Sequence, residues 1–228
     1  MRLLLISSSN VHGYGYLDQA ESEIRRIVAG HRRVAFVPYA IRDRDAYTQK
    51  IRERLGAMDL GVVQVHGPNE LDSADAVFVG GGNTFRLLNA LYERNLIGEI
   101  RQRVRAGLPY IGSSAGTNIA APTIKTTNDM PITQPPSFDS LALVPFQINP
   151  HYLDPDPTST HMGETREDRV REFLEENDTP VVGLREGTMI SVESGRTVLL
   201  GLRAARIFRR GFEPLEVEPG QAIDDYVG

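Results

Sequence analysis

Residues 108–118, Leu-Pro-Tyr-Ile-Gly-Ser-Ser-Ala-Gly-Thr-Asn, carry the most specific chemistry in the chain. Gly112-Ser113-Ser114-Ala115-Gly116 fits G-x-S-x-G. A short apolar run at 108–111 precedes it, and residues 117–121 can continue as helix. A sharp strand-to-helix turn of this kind lifts one hydroxyl above a sheet. It also turns the next amide and the helix N-terminus toward whatever that hydroxyl attacks. Side chains at Gly112 or Gly116 would collide where strand and helix close on each other. Ser114 is therefore the candidate nucleophile. A chemically silent turn, or an anion-binding one, satisfies the same short pattern.

A serine nucleophile needs a base, and the base needs an acceptor to orient it. The histidines are His12, His31, His66, His151 and His161. His31 follows a predicted helix beside Arg32 and reads as solvated; His66 sits at a turn before Pro68; His12 lies in a loop and is a weaker candidate. His151 follows a predicted strand directly, in Gln147-Ile148-Asn149-Pro150-His151, which fixes the height of its ring over a sheet, so it is favoured as the base. Asp129, Asp139, Asp154 and Glu186 are candidate orienting acids, with Glu186 and Asp129 close rivals. Pairing of His161 with His151, Asp154 or Asp156 on a metal matches no known ligand spacing, and no metal is expected. Gly80-Gly81-Gly82-Asn83-Thr84 lacks the spacing and the lysine of a phosphate loop. Its bare amides, with that of Ala115, suit an oxyanion hole.

The elements that must hold these groups follow from periodicity. Continuous apolar runs predict strands at 2–7, 33–38, 61–65, 75–79 and 108–111. Helical spacing predicts helices at 17–29, 43–55, 85–92 and 96–105, with Asn95 as a cap between the last two. Strands that are apolar throughout are buried on both faces, so this half reads as a mostly parallel, doubly wound sheet with helices on both sides. In such sheets ligands bind at the carboxyl ends of the strands, where the loops at 8–16, 80–84 and 112–116 share one rim. Residues 122–139 form a long loop rich in Thr, Asn, Asp and Pro, of a length usually associated with function. A strand is expected at 141–148, then a charged helix from 163 to about 176 with Thr165 as N-cap. From 180 onward the chain reads as β-hairpins, at 181–184, 188–192, 197–200 and 205–208, closing the sheet edge. One domain over residues 1–228 is expected.

A chain of 228 residues can bury a full core, and its 40% hydrophobic and 24% charged content is ordinary for a soluble globular protein. The net charge of −5 gives no sign of a nucleic-acid or membrane-surface binder. With no cysteine there is no disulfide framework. The apolar run after Met1 is too short for a signal peptide, so a cytoplasmic protein is expected. Lys50 and Lys125 are the only lysines, all other cationic side chains being arginine.

Val79-Gly-Gly-Gly-Asn-Thr-Phe85, Gly112-x-Ser-Ala-Gly116, Thr126-Thr-Asn-Asp-Met-Pro-Ile132, Gln147-Ile-Asn-Pro-His151 and Gly163-Glu-Thr-Arg166 occur in order. Together they resemble the peptidase E family of α-aspartyl dipeptidases, over most of residues 1–201. The resemblance implies a three-layer α/β/α sandwich like that of class I glutamine amidotransferases. It also implies a Ser114–His151–Glu186 triad, which decides between Glu186 and Asp129, and cleavage after an N-terminal aspartate without metal or other cofactor. The chain order serine–histidine–acid differs from that of α/β-hydrolases, to which G-x-S-x-G alone would have pointed. Ser113 and Arg185 depart from the family pattern, which carries tryptophan and proline there. On this reading the N–H groups of Ala115 and of Gly81 or Gly82 bind the oxyanion. Arg166 grips the substrate carboxylate, and Asp129 or Glu164 meets its amine. The partner is a small peptide with N-terminal Asp, and a homodimer is the suggested assembly. Two other readings fit the same residues: a related hydrolase of β-linked Asp-Arg units like those of cyanophycin, and a non-catalytic small-molecule binder.

Overall fold

The computed structural model describes residues 1–158, 160 and 162–228. Its first half alternates as the apolar runs require: β1 (Arg2–Ile6), α1 (Glu21–Ile27), β2 (Arg33–Val37), α2 (Arg44–Gly56), β3 (Gly61–Gln64), α3 (Asn69–Asp72), β4 (Ala76–Val79), α4 (Thr84–Glu93), α5 (Leu96–Arg105), β5 (Tyr110–Ser113) and α6 (Ala115–Asn118). A long loop leads to β6 (Gln147–Pro150) and α7 (Arg166–Glu176). Then follow β7 (Val181–Leu184), β8 (Thr188–Glu193), β9 (Arg196–Gly201), β10 (Ala205–Phe208), β11 (Leu215–Val217) and α8 (Asp224–Val227).

Seven strands form the main sheet in the order β3-β2-β4-β5-β1-β8-β9. The first five run parallel, and β8 and β9 join antiparallel at one edge. Successive side chains of a strand point to opposite faces, and here both faces are apolar. Leu4, Ile6, Val34, Phe36, Ala76 and Phe78 pack under α1 and α2 through Ile24, Ile27, Ile51 and Leu55. Leu3, Leu5, Ala35, Val37, Val77 and Val79 face Leu87, Leu88 and Leu91 of α4 and Ile97 and Ile100 of α5. The result is a three-layer α/β/α sandwich whose parallel strands end on one rim. Among the described residues no helix is long and apolar enough to cross a membrane.

Several expected elements differ. Only the β8–β9 hairpin closes the edge of the main sheet. β7 and β10 instead build a second sheet, ordered β11-β10-β7-β6, in which β6 and β7 are parallel. Ile148, Val182, Leu184 and Ile207 of that sheet share the core under α4 and α5. Val181 and Phe208 instead pack with Tyr152 and with Val170 and Leu174 of α7. The strand expected at 141–148 is confined to Gln147–Pro150. Leu141 and Leu143 are buried but bond through their amides to the carbonyls of Ile119 and Ala120 rather than to a ladder. The helix expected at 17–29 begins as a 3-10 turn, Asp18–Ala20. Asn95 adopts a left-handed backbone (φ 54°) and makes no side-chain cap. Thr165 does cap α7, in a reciprocal capping box with Asp168.

Candidate active site

The turn after β5 is held tightly. A Cβ at Gly116 would lie 2.1 Å from the Val79 carbonyl oxygen, and one at Gly112 would lie 2.5 Å from that of Gly116. Only hydrogen fits at either position, so the elbow packs directly against β4. Ser114 pays for this closeness with a φ of 53° and ψ of −109°, a conformation costing a non-glycine residue about 1–3 kcal/mol. The surrounding bonds hold it there. Ser114 N–H donates to Ile6 O (3.0 Å), and its carbonyl accepts from Thr117 and Asn118 (both 2.9 Å). The Thr117 hydroxyl reaches both Ile6 O (2.6 Å) and Gly112 O (2.9 Å).

His151 follows β6 and also has a positive φ, 55°. Its ring lies between the other two members of the expected triad. Ser114 Oγ is 2.9 Å from Nε2, and Glu186 Oε1 is 3.0 Å from Nδ1. A carboxylate only accepts, so in the neutral ring Nδ1 carries the proton and Nε2 accepts from the serine. Ser114 thus comes from the main sheet, whereas His151 and Glu186 follow β6 and β7 of the second.

Ser7, at the end of β1, joins the two sheets. Its Oγ donates to Leu184 O (2.8 Å) and accepts the His151 N–H (3.1 Å), while its own N–H donates to Thr188 O (3.0 Å). Asn118 and Thr126 both donate to Ile148 O (2.8 and 2.9 Å), and Asn128 donates to Pro150 O (2.8 Å). These bonds lock β6 against the elbow and the long loop. Nothing in their local pattern marks them. Ser7 ends a predicted strand on the predicted rim, which is the one available hint.

The rival acid lies elsewhere. Asp129 Oδ2 accepts from Thr84 N–H (2.7 Å), Thr84 Oγ1 (2.6 Å) and Thr127 Oγ1 (3.2 Å), tying the long loop to the start of α4. Asp154 is held by Arg185, whose Nε and Nη2 donate to its two oxygens at 2.7 and 2.6 Å. The same guanidinium reaches both oxygens of Glu216 (2.8 and 2.9 Å) and Ala204 O (2.8 Å). That hydrogen bond from Arg185 holds the Asp154 carboxyl below its ordinary pKa. Asp139 is exposed. His12 is exposed, His31 lies 3.0 Å from an Arg2 nitrogen, and the His66 backbone bonds Glu70. His161, part of the metal reading, lies outside the described residues.

Ser114 and His151 open on a cleft of about 460 Å³ that Gly81 and Gly82 also line. The Gly81 N–H is committed to the buried Tyr47 hydroxyl at 2.9 Å. The amides of Gly82 and Ala115 have no acceptor among the described residues. Gly82 has a φ of +135°, and a Cβ there would lie 2.6 Å from Ala40 O, so glycine is required. Ser113 is fully buried and does not line the cleft. Arg166 and Glu164 line a different cleft, of about 410 Å³, with Leu153 and Asp154. Glu164 is 3.5 Å from Arg169. Arg166 makes no ion pair among the described residues. Partial burial, then Arg169, lower its pKa, and the charge of Asp129 opposes them.

The profile of peptidase family S51 matches residues 3–200. The chain belongs to peptidase family S51. It is 57% identical over 229 residues to peptidase E of Streptomyces coelicolor, covering 99% of this chain and 94% of that one. It is 50% identical over 224 residues to a probable alpha-aspartyl dipeptidase of Drosophila melanogaster, covering 95% and 93%. Two solved structures share the fold of this S51 member. A putative peptidase E protein from Listeria monocytogenes EGD-e has a TM-score of 0.68 at 23% identity, covering 88% of this chain and 98% of that one. A peptidase from an acI-B1 Actinobacterium has a TM-score of 0.69 at 16% identity, covering 97% and 96%.

Proposed function

We propose that the protein is a serine-type dipeptidase that hydrolyses dipeptides and short amides after an N-terminal aspartate, through an acyl-enzyme. The observation that carries this is the hydrogen-bonded line Ser114 Oγ–His151 Nε2–Nδ1–Glu186 Oε1, with its 2.9 and 3.0 Å links, in a chain of family S51. Ser114 Oγ attacks the carbonyl carbon of the aspartyl residue as His151 Nε2 takes its proton. The tetrahedral intermediate collapses, the C–N bond breaks, and His151 returns the proton to the leaving amine. Water then repeats the sequence on the ester and frees aspartate. Glu186 fixes the imidazole tautomer and stabilises the imidazolium.

The oxyanion is received by the N–H groups of Gly82 and Ala115, each such donor worth about 3–4 kcal/mol in the barrier. Gly81, the other glycine considered for this role, acts instead through its contact with Ser114. Arg166 is assigned to the substrate's side-chain carboxylate, since a half-buried guanidinium without an ion pair among the described residues favours a bidentate anion. Asp129, whose charge acts on Arg166 against the net lowering of its pKa, is assigned to the substrate amine. Glu164, engaged with Arg169, is the less favoured of the two.

A serine-directed phosphonate tests the reading. It is expected to label Ser114 and to abolish Asp-Leu hydrolysis in step with labelling. Retained turnover in Ser114→Ala would require another nucleophile. A panel of α-Asp and β-Asp dipeptides separates this activity from hydrolysis of β-linked units.

A further inference from the structure

The cleft that holds Ser114 and His151 contains a charge the mechanism above does not use. Lys50 is the one lysine or arginine among the residues lining it. Its Nζ sits 3.8 Å from the centroid of the Tyr16 ring, and it makes no ion pair among the described residues. A short relay of contacts fixes it relative to the nucleophile. The Tyr16 hydroxyl is 3.4 Å from that of Tyr47, and the Tyr47 hydroxyl accepts the Gly81 N–H at 2.9 Å. Gly81 abuts Ser114, since a Cβ built there would lie 3.0 Å from Ser114 Cβ. Asp43 also lines the cleft, but its carboxylate accepts the Ala46 N–H as the cap of α2.

A dipeptide with N-terminal aspartate has two carboxylates, one on each side of the scissile bond. The aspartyl one is assigned above to Arg166, which lines a different cleft. The other is the α-carboxylate of the leaving residue, within one residue of the bond, or at most about 3.6 Å of backbone. We infer that Lys50 binds this α-carboxylate and so makes the enzyme prefer dipeptides to longer or amidated substrates. The inference rests on the dipeptidase reading. A flexible stem ending in a point charge suits a carboxylate whose position shifts as the leaving side chain changes. The Tyr16 face holds the ammonium without neutralising it. A tripeptide or an amide brings an uncharged group to the same place and leaves the ion pair unmade.

Steady-state kinetics of Asp-Leu and Asp-Leu amide test this. Lys50 is exposed, so its ion pair is worth at most about 1 kcal/mol, or roughly a fivefold preference for Asp-Leu in kcat/KM. Lys50→Met is expected to bring that ratio to near one, through a higher KM for Asp-Leu. Lys50→Arg is expected to keep it, and added salt to erode it in the wild type. Turnover of the amide by Lys50→Met reports that the variant is folded. An unchanged ratio, or equal losses on both substrates, overturns the inference while leaving the dipeptidase reading intact. A wild type inert to both substrates overturns the dipeptidase reading itself, and this one with it.

Discussion

A carboxylate contributes to a proton relay only from the position that fixes the ring's tautomer. Glu186 occupies that position at 3.0 Å from Nδ1, whereas Asp129 spends one oxygen on three hydroxyl and amide donors near α4. Glu186→Gln replaces a group that can only accept with an amide that can also donate to Nδ1, so the Nδ1–H tautomer is no longer enforced, and a loss of roughly 10⁴ in kcat is expected with little change in KM. Asp129→Asn is expected to raise KM and lower stability, with a far smaller loss in kcat. Measuring both variants on Asp-Leu ranks the two acids, and a larger kcat loss at Asp129 would reverse the assignment. Ser7 makes no contact with the reacting atoms, but it is the acceptor for the His151 amide and the donor to Leu184 O. Ser7→Ala leaves the His151 N–H without its acceptor, for a cost of about 1–3 kcal/mol, while Leu184 O keeps the Tyr152 N–H. As a positioning change it is expected to lower kcat while KM holds. A drop in melting temperature with kcat intact would make Ser7 merely structural.

At the scale of elements, the clamp made by Arg185 has a consequence for acid stability. It ties the segment after His151, through Asp154, to β11, through Glu216, one residue before the candidate orienting acid Glu186. The folded-state pKa of Asp154 is depressed below its ordinary 3.8. Its stabilisation is therefore complete above about pH 4 and lost as pH falls through the lower folded value. Asp154 is 48% exposed, so screening limits the effect to about 1–3 °C. Between about pH 4 and pH 2 the wild-type melting temperature is expected to fall more steeply than that of Asp154→Asn; parallel slopes would count against the clamp. What the sequence discloses at this scale is uneven. The parallel strands were legible because both of their faces are buried, which leaves continuous apolar runs, and α4, α5 and α7 were legible from spacing and caps. The second sheet was not. Which strands β7 and β10 join depends on partners far along the chain, and a short apolar run reads alike in either sheet. Residues 141–146 are apolar because they are buried, not because they pair, so composition alone mistook them for strand. The candidate nucleophile and base stood out because a tight glycine turn and a strand-end histidine are rare. Tyr47 and Ser7, which hold the machinery in place, look like ordinary helix and strand residues.

Across the whole molecule, the candidate triad exists only while two sheets stay docked. The main sheet contributes Ser114, and the second contributes His151 and Glu186 from the ends of two parallel strands. Two facts argue that the sheets cannot part without unfolding the core. Ile148, Val182, Leu184 and Ile207 share one apolar cluster with Leu3, Leu5, Val77 and Val79. The junction at Ser7 is buried and hydrogen-bonded to both β7 and the start of β8. Had the second sheet been a separate lobe with its own core, mild denaturant would detach it, and activity would vanish while most helix and strand signal remained. A shared core predicts the opposite, a single unit spanning residues 1–228. In a urea titration, Asp-Leu turnover and far-UV circular dichroism are expected to fall with coincident midpoints, since exposure of the common apolar surface makes the transition cooperative. Loss of turnover at a clearly lower urea concentration than loss of dichroism would show that the two sheets come apart first, and that the alignment of Ser114 with His151 is maintained by something weaker than their common core.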